Sequence, residues 1–294
     1  MPDAAFHADA SPFLTVIAWP DGWDREAVAQ LLAREAGLDL PTLRLRLGRA
    51  PPMMIGQVDA PVAGAAITAL IARGGDAFAP TLADMTALGP TLKIKDMRLV
   101  EGNLELDLWS GLSTTIRREQ VQILIRAHLR KSATTVTHPS MHAPGRLGSA
   151  GRVHLVGGLG LGVGLGAMGL AAAYGASYSA NASFGDVQRD VKTSDKLDIH
   201  TPEGSIYQID GDRFAYLILG ELRGQGDKNN MDKMCELLTH LAPDPIVDPY
   251  FPLWRAPAGY RRLRLPDMKR NREDPAFAFY SRWAALMYRH VMGG

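Results

Sequence analysis

The chain has 294 residues, of which 46% are apolar and 21% are charged, and its net charge is +1. This composition indicates a globular protein with a sizeable core, and a nearly neutral chain has no long-range attraction for nucleic acid. The single cysteine, Cys235, excludes an internal disulfide and a cysteine-only metal cluster. The first residues lack a basic region followed by an apolar run, so we expect no signal peptide and a cytoplasmic protein.

Residues 12–80 predict a small α/β module. The predicted elements are a strand at 13–19, a helix that Asp24 caps and Gly37 ends, a strand at 53–58, a helix at 61–73 and a strand at 76–79. The order β-α-β-α-β is typical of a ferredoxin-like module.

Part of this module is similar to a known domain. A short helical piece, a strand, a helix ending in Ala-Arg-Gly-Gly and a further strand follow one another in residues 38–80. This pattern resembles the C-terminal domain of the bacterial ribosomal stalk protein, which implies its fold. The factor-binding face of that domain is rich in lysine, whereas the helix 61–73 carries only Arg73 as a basic residue. Translation-factor binding is therefore not implied.

Residues 92–248 predict a second, β-rich domain after a linker at 80–91. The predicted strands are 92–100, 104–109, 114–116, 121–129, 196–200, 205–209 and 214–219, and an amphipathic helix follows at 230–241. Met231, Met234, Cys235, Leu238 and Leu241 share one face of this helix.

The segment IRREQVQILIRAHLR at 116–130 resembles the strand, turn and strand of bacterial pleckstrin-homology-like domains. That resemblance implies an antiparallel β domain closed by one C-terminal helix, so the predicted fold class is α+β. GRVHLVGGL at 151–159 and NNMDKMCELLTHLAPDP at 229–245 resemble uncharacterised bacterial proteins that combine the two modules. This second resemblance implies architecture and no activity.

The insert 153–185, within the second domain, contains no Asp, Glu, Lys or Arg. Large and small residues alternate along two runs that flank the sequence Gly166-Ala-Met-Gly169, which is the period of β-strands. The apolar side of the two runs comprises Leu155, Leu159, Leu161, Val163, Leu165, Tyr174, Tyr178 and Phe184. The other side comprises Gly158, Gly160, Gly162, Gly164, Ser177, Ser179 and Asn181. The pattern predicts a long Gly-rich β-hairpin.

Three other interpretations of the insert stay open. Residues 155–173 are long and apolar enough for one transmembrane helix, although each alternate glycine weakens a helix by about 1 kcal/mol. Gly164-Leu-Gly166-Ala-Met-Gly169 satisfies GxGxxG, but no second apolar strand follows it, as a dinucleotide site requires. The insert is also compatible with an ordinary Gly-rich loop.

Residues 249–294 predict a C-terminal arm and helix. Its basic residues are Arg255, Arg261, Arg262, Arg264, Lys269, Arg270 and Arg272, and Trp254 and Tyr260 lie among them. A helix from Pro275 carries Phe277, Tyr280, Trp283, Ala284, Met287, Tyr288 and Val291 along one side. Packing of this helix on a sheet or on a neighbouring subunit is favoured over binding to anionic lipid.

The sequence contains no HExxH, GxSxG or GxxxxGK[ST] motif. His138 and His142 have the spacing of a helical metal pair, but Pro139 follows directly and no third ligand is nearby. His200 is isolated, which is more typical of a hydrogen-bonded or surface residue than of a general base, and a turn explains Asp210-Gly211-Asp212. We therefore expect no catalytic residues, no cofactor and no metal.

The leading hypothesis is a non-enzymatic scaffold that self-assembles into a homo-oligomer through the Gly-rich hairpin. A two-stranded hairpin with an uncovered apolar face is marginal alone, and its edges invite pairing with another chain. The alternative is a membrane-inserting hairpin, in which an oligomeric β-barrel forms a pore with membrane lipid as partner. A third hypothesis is an enzyme or ligand binder that uses the insert as a lid. The small-molecule ligand is unknown in each case.

Overall fold

The computed structural model of the chain describes residues 11–48, 50–136, 187–254, 256–257, 265 and 275–293. By compactness the chain divides into two units, residues 1–127 with 195–294 and residues 128–194. The first unit contains two β-sheets and the helices. The second contains the outer parts of two long strands and the insert.

The described residues between 11 and 80 form a three-stranded antiparallel sheet with three helices. Its strands are β1 (Phe13–Ala18), β2 (Met53–Gln57) and β3 (Asp76–Phe78), in the order β2-β1-β3. Its helices are α1 (Arg25–Ala36), α2 (Leu40–Arg46) and α3 (Ala60–Ile71). Leu14 and Val16 of β1 enter a core shared with these helices. The predicted order of strands and helices in this module is confirmed.

The ends of α1 follow directly from two residue types. Asp24 accepts a hydrogen bond from the Ala27 N–H at 2.8 Å, which satisfies one unpaired donor of the first turn. Gly37 ends the helix in the left-handed region at φ +66°, where a side chain would be strained.

The predicted linker contains a helix that sequence reasoning missed. In α4 (Leu82–Ala87), the Thr81 hydroxyl accepts from the Asp84 N–H at 3.2 Å, while the Asp84 carboxylate accepts from the Thr81 N–H at 2.7 Å. This reciprocal capping box stabilises a single turn and a half that has little hydrophobic periodicity.

The remaining strands form one seven-stranded sheet. They are β4 (Thr91–Val100), β5 (Asn103–Leu108), β6 (Ser113–Arg117), β7 (Ile123–Val136), β8 (Val187–His200), β9 (Ile206–Asp210) and β10 (Ile246–Asp248). The order is β10-β7-β8-β9-β4-β5-β6. The sheet is mixed rather than wholly antiparallel, because β9 pairs with β4, and β10 with β7, in parallel.

Two predictions in this sheet were wrong in extent or type. Residues 131–136 continue β7 and are not loop. Residues 214–219 do not form a strand; the chain turns at Tyr216, whose φ is +56°, and continues as a 3₁₀ helix, Leu217–Leu222. Phe214, Tyr216 and Leu219 are nevertheless buried in the core. The apolar pattern of residues 214–219 therefore reflects the burial of these side chains and not an extended backbone.

Helix α5 (Asp227–Leu241) covers one face of the large sheet, as its predicted apolar face requires. Met231, Met234 and Leu238 are buried against strand residues such as Leu197 and Ile199. Cys235 is partly buried there, and burial raises the pKa of its thiol. It is a structural thiol.

Helix α6 (Pro275–Gly293) lies between the two sheets and is buried on all sides from Phe277 to Ala285, whereas its last turn is exposed. Trp283 donates its indole N–H to the Thr15 hydroxyl at 2.9 Å, and the rings of Phe279 and Phe13 meet edge to face at 5.2 Å. From its other side, Ser281 contacts the large sheet at His200, at 2.8 Å. The first unit is therefore layered, with α6 in the middle.

Removing the largest buried side chain of α6 should weaken both contacts at once. Trp283 is 1% exposed, and we expect Trp283→Ala to lower the free energy of unfolding by about 3–5 kcal/mol. Val291, on the same helix, is 52% exposed, and Val291→Ala should cost less than about 0.5 kcal/mol. Chemical denaturation of both variants measures the difference, and equal losses would show that α6 does not join the sheets.

Candidate functional site

The predicted site residues are not among those that the structure describes. The hairpin residues from Leu155 to Phe184, the basic residues from Arg255 to Arg272, and His138 with His142 all lie outside the described ranges. The strands that lead into and out of the insert are described, and the candidate site is the position where they join the rest of the protein.

The insert lies between two long strands of one sheet. β7 and β8 have 14 residues each and are neighbours in the seven-stranded sheet. A segment that leaves and rejoins one sheet can cross a bilayer only an even number of times. Residues 155–173 themselves lie outside the described ranges.

On the α5 face of the sheet, an ion triad holds β7, β8 and α5 together. The Arg126 guanidinium of β7 donates to Asp195 of β8 at 3.3 Å and to Asp232 of α5. Asp195 is 4% exposed, whereas the Arg126 side chain is 24% exposed. One cation thus serves a buried and a partly exposed carboxylate.

Burial opposes charge in this triad, but the ion pairs outweigh it. Burial alone would raise the pKa of Asp232; the hydrogen bond and positive charge of Arg126 hold it below its ordinary value. For Arg126 itself, burial acts against the charge, and the two carboxylates still raise its pKa. Arg126 and Asp232 are therefore both held in charged form at neutral pH.

On the α6 face of β8, a chain of buried polar side chains replaces the usual apolar contact. The Lys196 ammonium donates to Gln208 Oε1 at 3.4 Å, and Gln208 Nε2 donates to Asp198 at 2.8 Å. Ser281 of α6 donates to the second oxygen of Asp198 at 2.6 Å and contacts His200 Nε2 at 2.8 Å. Every member is at most 3% exposed.

This constellation contains Ser, His and Asp but cannot act as a catalytic triad. A serine hydroxyl has one proton, and Ser281 donates it to Asp198, so His200 Nε2 must be the donor to Ser281. His200 therefore cannot accept the Ser281 proton, as a general base would. The three groups are also buried away from any substrate. The arrangement attaches α6 to β8.

His200 is neutral in the folded protein. Burial lowers the pKa of His200 to about 3, and the positive charges of Arg289 and Arg282 act in the same direction. Both arginines are fixed by carbonyl groups: Arg282 donates to Met85 O at 2.9 Å and Arg289 to Thr201 O at 2.6 Å. A proton on His200 would place a third cation beside them.

The sequence carried a partial signal for this network. Lys196, Asp198 and His200 occupy alternate positions of one strand, with Leu197 and Ile199 between them, so period two was visible on a polar face. The sequence gives no reason to associate Ser281 with them, because it lies on a helix far along the chain. The prediction that His200 is a hydrogen-bonded structural residue agrees with this geometry.

The described residues contain neither a metal-binding group nor a helix that could span a membrane. Within them, no group of three or more His, Cys, Asp or Glu side chains could hold a metal ion. No helix in the described part of the chain combines the length and the apolar character needed to cross a bilayer. Comparison with protein-family models, with curated proteins and with solved structures finds no match to this chain.

The buried His200 should make the protein sensitive to mild acid. Its pKa falls from 6.5 when unfolded to about 3 when folded, so the unfolded chain binds an extra proton between these values. Stability contributed by neutral His200 is complete above pH 6.5 and is lost on acidification, by up to about 1.4 kcal/mol per pH unit. We expect His200→Gln to be less stable at pH 7 and to show a shallower loss between pH 6.5 and 4.

Urea unfolding at several pH values measures this slope. The control is His240→Gln, at an exposed helical histidine, which should retain the wild-type slope. Burial raises the pKa of Asp248, so this residue changes the stability with pH in the opposite direction to His200. Every variant retains Asp248, so its contribution cancels when the slopes are compared. Parallel profiles for wild type and His200→Gln would contradict the prediction.

Removing Arg126 should deprive the buried Asp195 carboxylate of its guanidinium partner. We expect Arg126→Met, which keeps an unbranched side chain, to lower the free energy of unfolding by about 2–3 kcal/mol. Arg34→Met, which breaks an exposed pair with Glu35 at 3.0 Å, should cost less than about 0.5 kcal/mol. Denaturant midpoints test this, and equal effects of the two substitutions would refute it.

Proposed function

We propose that the protein is a non-enzymatic assembly protein in which the insert 153–185 makes the contact between copies. The observation that carries this proposal is the position of the insert, between two neighbouring 14-residue strands of one sheet. In the sequence, this uncharged segment of alternating large and small residues follows β7 after residues 137–152 and is followed by β8 after Asp186.

The geometry of the strands supports a contact element rather than a lid. β8 is attached to α5 through the Arg126 triad and to α6 through the Ser281 network, so both of its faces are bonded near its C-terminal end. A lid needs a hinge of low stability where it joins the body. An assembly element benefits from the opposite, because a fixed base lowers the entropy lost on association.

The chemistry of the described residues also favours a binding role. Their one Ser, His and Asp constellation is a buried structural network, as the donor order shows. The insert meanwhile has an apolar side that no sequence near it is suited to cover, and hairpins of two strands are marginal alone. Association of copies would bury that side and pair its edges.

Membrane insertion is the second candidate. It is supported by the absence of charge over 153–185 and by two alternating runs, each at least the roughly 9–11 residues that a strand needs to cross a bilayer. An even number of crossings is compatible with strands that share a sheet. We further propose that the small module is of the ribosomal-stalk C-terminal type and that the large domain is pleckstrin-homology-like.

The test compares the solution mass of the full chain with that of a variant lacking Val153 to Gly185. We expect a discrete assembly that the deletion abolishes, and the same loss in Leu161→Asp/Val163→Asp, since two carboxylates would lie on the associating side. Leu45→Asp/Ile71→Asp is the matched control, because these apolar residues are 78% and 55% exposed elsewhere.

Anionic liposomes separate the two candidates. Assembly without liposomes supports the scaffold, and assembly that requires them, with dye release, supports insertion. A full chain and a deletion variant with the same mass in both conditions would sink both candidates. The insert would then be a loop without an assembly role.

A further inference from the structure

One edge of the large sheet is the strand β6, which has a single neighbour in the sheet, β5. The two strands pair in unbroken antiparallel register from Asn103 opposite Arg117 to Asp107 opposite Ser113. The opposite edge, β10, has only three residues. β6 is therefore the longer of the two edges.

The hydrogen bonds of the β5–β6 turn show which backbone groups of β6 point outward. The Leu108 N–H donates to Leu112 O at 2.8 Å, and the Gly111 N–H donates to Leu108 O at 3.0 Å, so residues 108 and 112 form a bonded pair. Bonded and non-bonded pairs alternate along antiparallel strands. Thr114 and Ile116 therefore bond to β5, while the N–H and C=O groups of residues 113, 115 and 117 face away from it. The Arg117 N–H donates to Gln120 Oε1 at 2.9 Å, so the outward N–H groups that a second strand would meet first are those of Ser113 and Thr115.

β6 lacks the features that usually protect a sheet edge. Its first four residues, Ser-Thr-Thr-Ile, contain no charge and no proline, and its register with β5 shows no bulge. Residues of this type favour extended structure. An edge without charge, proline or bulge is a template for pairing with another strand.

The two ends of β6 are complementary to each other. At its start lie exposed apolar side chains, Trp109 at 49% and Leu112 at 68%. At its end lie the exposed cations Arg117 and Arg118. When two identical strands pair antiparallel, the start of each strand lies beside the end of the other. The arginines of one copy would then contact Trp109 and Leu112 of the second copy through their aliphatic stems and guanidinium groups.

A two-fold axis at Thr115 also satisfies the charges. It places Ser113 opposite Arg117 of the second copy, with no like charges facing each other across the axis. Ser113 donates to Asp107 at 2.7 Å on the adjacent strand, so an arginine opposite Ser113 can extend over it to this carboxylate. Asp107 is one-third exposed, and its Oδ2 accepts from Arg98 at 2.8 Å; because each carboxylate oxygen has two lone pairs, it can accept a further hydrogen bond.

We propose that β6 is a homodimerisation edge, which pairs antiparallel with β6 of a second copy about Thr115 and joins two large sheets into one. The partner is another copy of this chain, and the contact does not involve the insert. The β6 contact adds a second, independent contact to the assembly proposed through the insert. Each of the two contacts can be refuted without refuting the other.

The test uses Thr115→Pro in both the full chain and the variant lacking Val153 to Gly185. Proline removes the outward N–H at the two-fold axis, where each copy loses a bond, and leaves the bonds of Thr114 and Ile116 to β5 intact. Thr115→Ala keeps the N–H and is the matched control. Sedimentation equilibrium should show a dimer dissociation constant raised at least tenfold in Thr115→Pro and little changed in Thr115→Ala.

A charge exchange provides a second measurement that does not alter the backbone. Arg117→Asp should weaken the dimer by facing Asp107 of the second copy. Arg117→Asp with Asp107→Arg and Arg98→Asp, which keeps the ion pair between β4 and β5 with its signs exchanged, should restore it. Added salt should reduce both effects. If Thr115→Pro has a lower melting temperature than the wild type, the charge exchange decides whether β6 forms the dimer contact.

The outcomes separate the two contacts. A dimer that survives deletion of the insert and is lost in Thr115→Pro supports the β6 edge. A deletion variant that is monomeric at all concentrations overturns it while leaving assembly through the insert intact. Equal dissociation constants for Thr115→Pro and Thr115→Ala, or no restoration by the charge exchange, also overturn it.

Discussion

The burial of α6 on all sides from Phe277 to Ala285 is the constraint on which the rest of the structure depends. A helix buried on one side needs one apolar stripe, but α6 has consecutive buried residues from Phe277 to Ala285 and contacts a sheet on each side. Its polar side chains must then find partners inside the protein. Ser281 and Trp283 find them on opposite sheets, at Asp198 and Thr15, so neither sheet can be repacked without affecting the other.

The same constraint explains why β8 is polar on one face. Lys196, Asp198 and His200 are expensive to bury singly, and they are tolerated because each hydrogen-bonds within one connected network. Such a network specifies one register of α6 on the sheet, since a shift by one residue would leave several buried groups unpaired. This network fixes the position of α6 on the sheet and performs no chemistry. β8 leads directly from the insert into the network.

Local chemistry made most elements predictable, and long-range packing hid the rest. Asp24 and Gly37 marked both ends of α1, and the Met231 to Leu238 stripe identified α5. The 214–219 segment was misassigned because burial alternates there without extension, as the left-handed Tyr216 shows. β10 was missed because three residues carry no periodic signal. The Ser281 network joins residues from two strands and a distant helix, and no local pattern encodes such a contact.

The order of the strands has a consequence for biosynthesis. β7 lies between β8 and β10, and both of these neighbours are encoded downstream of it, beyond the insert. When the Ile-Leu-Ile run at 123–125 leaves the ribosome, neither partner strand has been translated, and both edges of β7 are unpaired. A nascent chain in this state is exposed to aggregation until residue 200 has emerged. Expression with chaperones that hold extended apolar segments should therefore improve the yield of folded protein.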